Sequence, residues 1–170
     1  RTDVAYQLVK QKKHPGWLDM IKNRTTLSER WTLRGSNNHV MFGSIDTWFY
    51  RILAGINIDD AQPGFEHVFI KPIIPQDLSF VDASLKTIRG KVSSRWDVSD
   101  GDVRLRIVIP VNSSATVYVP AQDKESVTES GQLAETSQGV KFIKTENQYA
   151  VFHVGSGDYD FTSKGFQDML

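Results

Sequence analysis

Two hydrophobic periods divide the chain. Up to about residue 56 the apolar positions recur every three or four residues, and from Gly64 they alternate. In residues 2–11, TDVAYQLVKQ, the residues Val4, Ala5, Leu8 and Val9 form one helical stripe. Thr2 is a candidate N-cap, with Asp3 in the first turn. Lys10, Lys12 and Lys13 gather where they complement the helix dipole. His14-Pro15 breaks this pattern, because the residue before proline avoids the α region. PGWLDMIKN then predicts a short second helix with Trp17, Leu18 and Ile21 on one face. A loop carrying TTLSERW follows. Ser36 and Asn37 are candidate N-caps for a long helix. Its stripe is Met41, Ile45, Trp48, Phe49, Ile52 and Ile56, widened by Phe42 and Leu53, and Gly55 can end it. A helix this apolar packs on more than one side. Residues 1–56 offer little to pack against it, so they read as a slice of a larger helical body.

The alternating half predicts strands. FEHVFIKP, LSFVDASLKT and RGKVSSRWDV come first, the last with Val92, Ser94, Trp96 and Val98 on one face. Asp100-Gly101 is a hairpin signal leading into DVRLRIVIP. There Val103, Leu105, Ile107 and Ile109 alternate with Arg104 and Arg106, as in a half-buried antiparallel strand. TVYVP, SVTES, VKFIKTE, YAVFHVG and DYDFTS complete the series, with Glu146-Asn147 read as a turn. About eight short strands at regular spacing imply a β-sandwich. INIDDAQPG, residues 56–64, reads as the linker. The fold class is therefore α+β: N-terminal helices followed by an antiparallel β-sandwich.

Composition narrows the function. The 170 residues can bury roughly 70 % of the unfolded surface, enough for one core or two small ones. Twenty basic residues balance twenty acidic ones. A binder of duplex nucleic acid needs a basic face, so none is expected. No apolar run approaches the ~20 residues of a membrane span. Arg1-Thr2-Asp3 enters a helical pattern directly, as in a mature or excised segment. The absence of cysteine excludes a disulfide scaffold and a thiolate zinc site. Asn23-Arg24-Thr25 and Asn112-Ser113-Ser114 fit a glycosylation sequon.

Among the chemistry-bearing residues Glu29 stands out, set between hydroxyl residues and a tryptophan rather than on a lysine-rich face. By residue type alone it reads as a surface or capping acid before a catalytic one, since Thr25 or Thr26 followed by Glu29 resembles a capping box. His39, ten residues on, is by the same standard a capping or packing residue at a helix start. Trp17, Trp31 and Trp48 are candidate sugar platforms. Trp48 lies on the core stripe and Trp96 in a strand, which leaves Trp31 the better candidate. His67 and His153 lack further ligands at metal spacing. There is no GxSxG elbow, Gly-rich phosphate loop or cysteine nucleophile, and no cofactor or metal is expected.

TTLSERW followed by NNHVMFGSIDTWFYRILAGI resembles the C-terminal signature of the bacterial α-L-rhamnosidases, glycoside hydrolase family 78. The likeness continues through GFEHVFIKP and KVSSRW to VTESG and VGSGDYDF. It implies that residues 1–57 are the last helices of an (α/α)6 catalytic barrel and residues 58–170 its C-terminal sandwich. It further implies inverting hydrolysis of terminal α-L-rhamnosides, with Glu29 as general base, His39 lining the rhamnose site and Trp31 in an aromatic position beside the base. The general acid would lie upstream of Arg1, in the remainder of the same enzyme, so the isolated chain is expected to be inactive. Two departures stand out. Ser28 occupies the place of a tryptophan, and only nine residues separate Glu29 from His39.

The rival readings are a sandwich that binds carbohydrate without catalysis and one that only braces a barrel. The aromatics of the second half alternate with core positions, so no exposed aromatic row is expected there. If the helices are a slice of a barrel, their apolar faces lack partners in this chain, and it should oligomerise or bury that stripe on its own sandwich.

Overall fold

A computed structural model describes residues 1–22, 24–37 and 39–166. The chain divides into two compact units, Arg1–Phe49 and Tyr50–Leu170.

In the first unit helix α1 is Thr2–Val9 and α2 is Trp17–Ile21. Thr2 is the first helical residue and Arg1 takes the cap position, bonding Asp3 instead of leaving Thr2 to cap. No residue of α1 is buried, and its apolar stripe is open at Val4 and Leu8. In α2 the buried side chain is Met20, while Leu18 and Ile21 are exposed. The face expected to pack is thus displaced, because Met20 sits against the following loop. Gly16 precedes α2 at a spot where a Cβ would fall 2.6 Å from the Gln11 carbonyl oxygen.

The long helix expected from residue 37 onward is broken. It comprises α3, Val40–Gly43, α4, Ile45–Trp48, and a π-helical turn, Phe49–Leu53. His39, not Ser36 or Asn37, occupies the cap position of α3. The break falls at Gly43-Ser44, where glycine is a poor helix former. The Ser44 hydroxyl also donates to the Met41 carbonyl at 2.6 Å, competing with the helical ladder.

The second unit is a β-sandwich. One sheet has the order β1-β2-β6-β10-β9, the other β3-β4-β5-β11-β7-β8. The strands of the first are Ile56–Ile58, His67–Ile70, Ser114–Pro120, Tyr149–Val154 and Val140–Glu146 in that order. Those of the second are Phe80–Thr87, Gly90–Ser99, Asp102–Ile109, Gly157–Ser163, Val127–Glu129 and Gln132–Leu133. All strand neighbours are antiparallel except β2 and β6, which run parallel. Each segment read as a strand from the sequence is present. β1 and β8 are additional. β1 takes up the start of the expected linker, since Ile56–Ile58 pairs with β2. The turn between β9 and β10 is one residue later than expected, with Asn147 and Gln148 both at positive φ.

The inner faces meet in one core led by Trp96, Phe152, Phe161, Leu105 and Ile107. Val151 and Phe152 are both buried despite being consecutive, because a register shift falls between them. Two buried donors satisfy the backbone that leaves the π-helical turn. Trp96 Nε1 donates to the Leu53 carbonyl and Ser94 Oγ to the Ala54 carbonyl, each at 2.7 Å. Gly55 then ends the helical run at φ +75, where a Cβ would lie 2.2 Å from the Lys71–Pro72 backbone.

Both ring nitrogens of His67 meet hydroxyls, Ser114 Oγ at 2.7 Å and Thr116 Oγ1 at 2.9 Å. The His67 ring stacks on His153 at 5.9 Å. Burial pushes the His67 pKa below its ordinary value, Asp59 opposes that shift and His153 adds to it. Between the lowered folded value and the ordinary 6.5 the unfolded chain binds more protons than the folded one. His67 therefore leaves stability intact above pH ~6.5 and removes some as the pH falls through that window. Denaturant unfolding of this chain at stepped pH should show a weaker fall as the pH drops below ~6.5 in His67→Gln than in wild type. Parallel curves would refute the assignment.

Asn112 is exposed, whereas the other sequon acceptor, Asn23, lies outside the described residues. Among the described residues no helix is long and apolar enough to cross a membrane.

Candidate active site

TTLSERW and the residues after it form a closed loop without helix or strand. A turn at Arg30–Leu33 reverses the chain, with the Leu33 N–H donating to the Arg30 carbonyl at 2.9 Å. Leu33 and Gly35, at φ 62 and 87, complete the return. Glu29 and Ser36 thereby come face to face. The Glu29 N–H donates to the Ser36 carbonyl at 2.9 Å, and the Ser36 N–H donates back to Glu29 Oε2 at 3.1 Å. No helix starts here, so the capping-box alternative does not describe Glu29. Gly35 is required beneath it, because a Cβ there would stand 2.4 Å from Oε2.

The second carboxylate oxygen, Oε1, accepts no hydrogen bond among the described residues and lies 4.0 Å from Arg30 Nε. The Glu29 side chain is 35 % exposed. One oxygen is therefore anchored by a hydrogen bond, and the other faces the Arg30 guanidinium.

His39 joins the same arrangement through Ser36, whose Oγ is 3.3 Å from His39 Nδ1. Ser36, read from sequence only as a possible cap, thus connects the two candidate residues. Its spacing of three from His39 was the available signal. Trp31 lies in an aromatic cluster, edge-on to Trp17 at 5.1 Å and tilted on Phe42 at 4.0 Å. Trp17 Nε1 donates to the Phe42 carbonyl at 3.1 Å, tying α2 to α3. Trp31 remains half-buried, with Phe42 against one side of its ring. Ser28 is wholly buried, its N–H facing Met20 Sδ at 3.3 Å.

Among the described residues no group of three His, Cys, Asp or Glu side chains could hold a metal ion. A depression of about 420 Å³ lies on the six-stranded sheet, over Ser93, Arg95, Arg106, Asp158 and Tyr159. Most of its charges are already engaged. Arg95 pairs with Asp82 at 3.0 Å, Arg106 with Asp97 at 2.6 Å and Asp160 with Arg104 at 2.5 Å.

Comparison with known proteins identifies the loop's context. Residues 1–53 match the family described as the bacterial alpha-L-rhamnosidase 6 hairpin glycosidase domain. Residues 55–134 match the bacterial alpha-L-rhamnosidase C-terminal domain. An alpha-L-rhamnosidase of Streptomyces avermitilis is 32 % identical over 95 % of this chain and 16 % of its own length. The crystal structure of the S. avermitilis alpha-L-rhamnosidase complexed with L-rhamnose superimposes with a TM-score of 0.81 and 31 % identity. The match covers 96 % of this chain and 16 % of that one. The alpha-L-rhamnosidase structure from Dictyoglumus thermophilum gives 0.80 and 36 %, over 95 % of this chain and 19 % of that one. This chain spans less than a fifth of the length of these relatives. With both family matches falling in one family and together running from the first helices into the sandwich, the chain belongs to the bacterial α-L-rhamnosidases.

Proposed function

We propose that this chain supplies the general base, Glu29, to an inverting α-L-rhamnoside hydrolase whose general acid comes from outside these residues. The helices before β1 would then belong to the catalytic barrel and the sandwich would be its C-terminal domain. The observation that carries this reading is the asymmetric setting of the Glu29 carboxylate. Oε2 is held by the Ser36 N–H, while Oε1 accepts no hydrogen bond among the described residues and has Arg30 Nε at 4.0 Å.

In this mechanism a water on Oε1 gives its proton to Glu29 as its oxygen attacks the anomeric carbon. An acid on the opposite face protonates the departing glycosidic oxygen. The two carboxyl groups stand roughly 6.5–9.5 Å apart, so that the water fits between them. The sugar leaves with inverted configuration, and no cofactor takes part. His39, steadied by Ser36, contacts a rhamnose hydroxyl. Trp31, half-buried beside Trp17 and Phe42, takes an apolar C–H face of the ring. The experiment is Glu29→Gln in the full-length protein, read as turnover of an aryl α-L-rhamnoside. Unchanged turnover would leave a carbohydrate-binding or bracing role.

Gly35 gives an independent check. Gly35→Ala must adopt a left-handed backbone, at a cost of about 1–2 kcal/mol, and must push the Glu29 carboxylate from its place. Turnover should fall far more than so small a stability change explains, as measured by kcat beside a thermal melt. A variant with normal kcat would show that the Glu29 position is not critical.

A further inference from the structure

We infer that Arg24 is a positioning residue for the Glu29–Ser36 pair, an inference that rests on the reading of Glu29 as the base. Arg24 Nη1 donates to Ser28 Oγ at 3.0 Å and to Asn37 Oδ1 at 2.8 Å. Nη2 donates to the Leu33 carbonyl at 3.3 Å. Ser28 immediately precedes Glu29, Asn37 immediately follows Ser36, and Leu33 is in the reversal between them. One planar group therefore pins the loop on both sides of the reciprocal Glu29–Ser36 contact and at its turn.

Loop 24–37 has no helical or sheet ladder to hold its shape, so such side-chain ties carry the geometry. Thr26 adds a tie of the same kind, its hydroxyl donating to the Asn37 carbonyl. The Ser28 hydroxyl is a fixed anchor because the residue is wholly buried. Among the described residues Arg24 forms no ion pair, so its donors are committed to this loop. A lysine ammonium cannot reproduce the planar fork that reaches three acceptors. Arg24 acts on Glu29 through the loop and makes no hydrogen bond or ion pair with its carboxylate.

The test uses the full-length protein with Arg24→Ala, Arg24→Lys and, in parallel, Glu29→Gln. Turnover of an aryl α-L-rhamnoside gives kcat and KM, and a melt gives stability. Arg24→Ala should lose roughly ten- to a hundredfold in kcat, the scale of a misplaced catalytic group, with KM and melting temperature near wild type. Millimolar guanidinium should restore part of that loss, and equal urea should not. Arg24→Lys should stay impaired. Normal kcat in Arg24→Ala beside a crippled Glu29→Gln would overturn the inference and leave the Glu29 reading standing. A loss without guanidinium rescue and with a lowered melting temperature would also overturn it, reducing Arg24 to a stabilising contact. Wild-type kcat in Glu29→Gln would remove the base assignment, and the inference about Arg24 with it.

Discussion

Glu29→Gln in the full-length protein is expected to lower kcat on an aryl α-L-rhamnoside by about 10²–10⁴-fold, the usual contribution of a positioned general base. KM should stay close to wild type. Glutamine keeps the shape of the side chain, and its carbonyl oxygen can still accept the Ser36 N–H that glutamate Oε2 accepts at 3.1 Å. What the amide lacks is the ability to take a proton from water. The carboxylate is thus removed as a base while its scaffold is retained, which separates catalysis from folding. A kcat within a few-fold of wild type would contradict the proposal.

The second large effect concerns stability. Trp96→Ala should destabilise the sandwich by about 3–5 kcal/mol. Trp96 is fully buried in the core, and its Nε1 is the donor to the Leu53 carbonyl. The truncation opens a cavity and leaves that carbonyl unpaired, and the two losses overlap instead of adding. The melting temperature should fall by roughly 10 °C. Trp96→Phe keeps most of the volume but loses the N–H, so it should fall between the alanine variant and wild type. A melting temperature for Trp96→Ala near wild type would mean that Trp96 is not a keystone of the core.

The sandwich was legible because its strands obey a simple rule. In DVRLRIVIP the alternating Val103, Leu105, Ile107 and Ile109 are the buried ones, and Asp100-Gly101 makes the hairpin at positive φ on both residues. β1 was hidden because only three residues of it precede the acidic run at Asp59-Asp60, and β8 because it has two residues. The parallel β2–β6 pair could not be read, since strand order and direction are set by tertiary packing. The long helix failed for a local reason: apolar periodicity runs through Gly43-Ser44 without registering the hydroxyl that bonds Met41.

The candidate site was legible in its residues and not in its wiring. Glu29 drew notice by its setting, but by residue type it and His39 read as capping or packing residues, and only the family resemblance gave them roles. That Ser36 would reach both of them depended on the positive φ of Leu33 and Gly35, which fold the six residues between Glu29 and Ser36 into a tight return. Arg24 gave no sequence signal, because an arginine in a polar loop has the same appearance whether it faces solvent or pins three acceptors.

The most direct measurement of the central claim replaces the base with an external nucleophile. Glu29→Ala removes the carboxylate and leaves room for azide, a small anion that attacks carbon without giving up a proton. With an aryl α-L-rhamnoside, azide nitrogen would bond the anomeric carbon as the C–O bond to the aryl oxygen breaks and the general acid protonates it, releasing the phenol. If Glu29 activates the attacking water from the face opposite the leaving group, azide should accelerate the full-length Glu29→Ala variant. The product, identified by NMR, should be the β-L-rhamnosyl azide. A rate indifferent to azide, or an α-linked azide product, would contradict the assignment of Glu29 as the base of an inverting site.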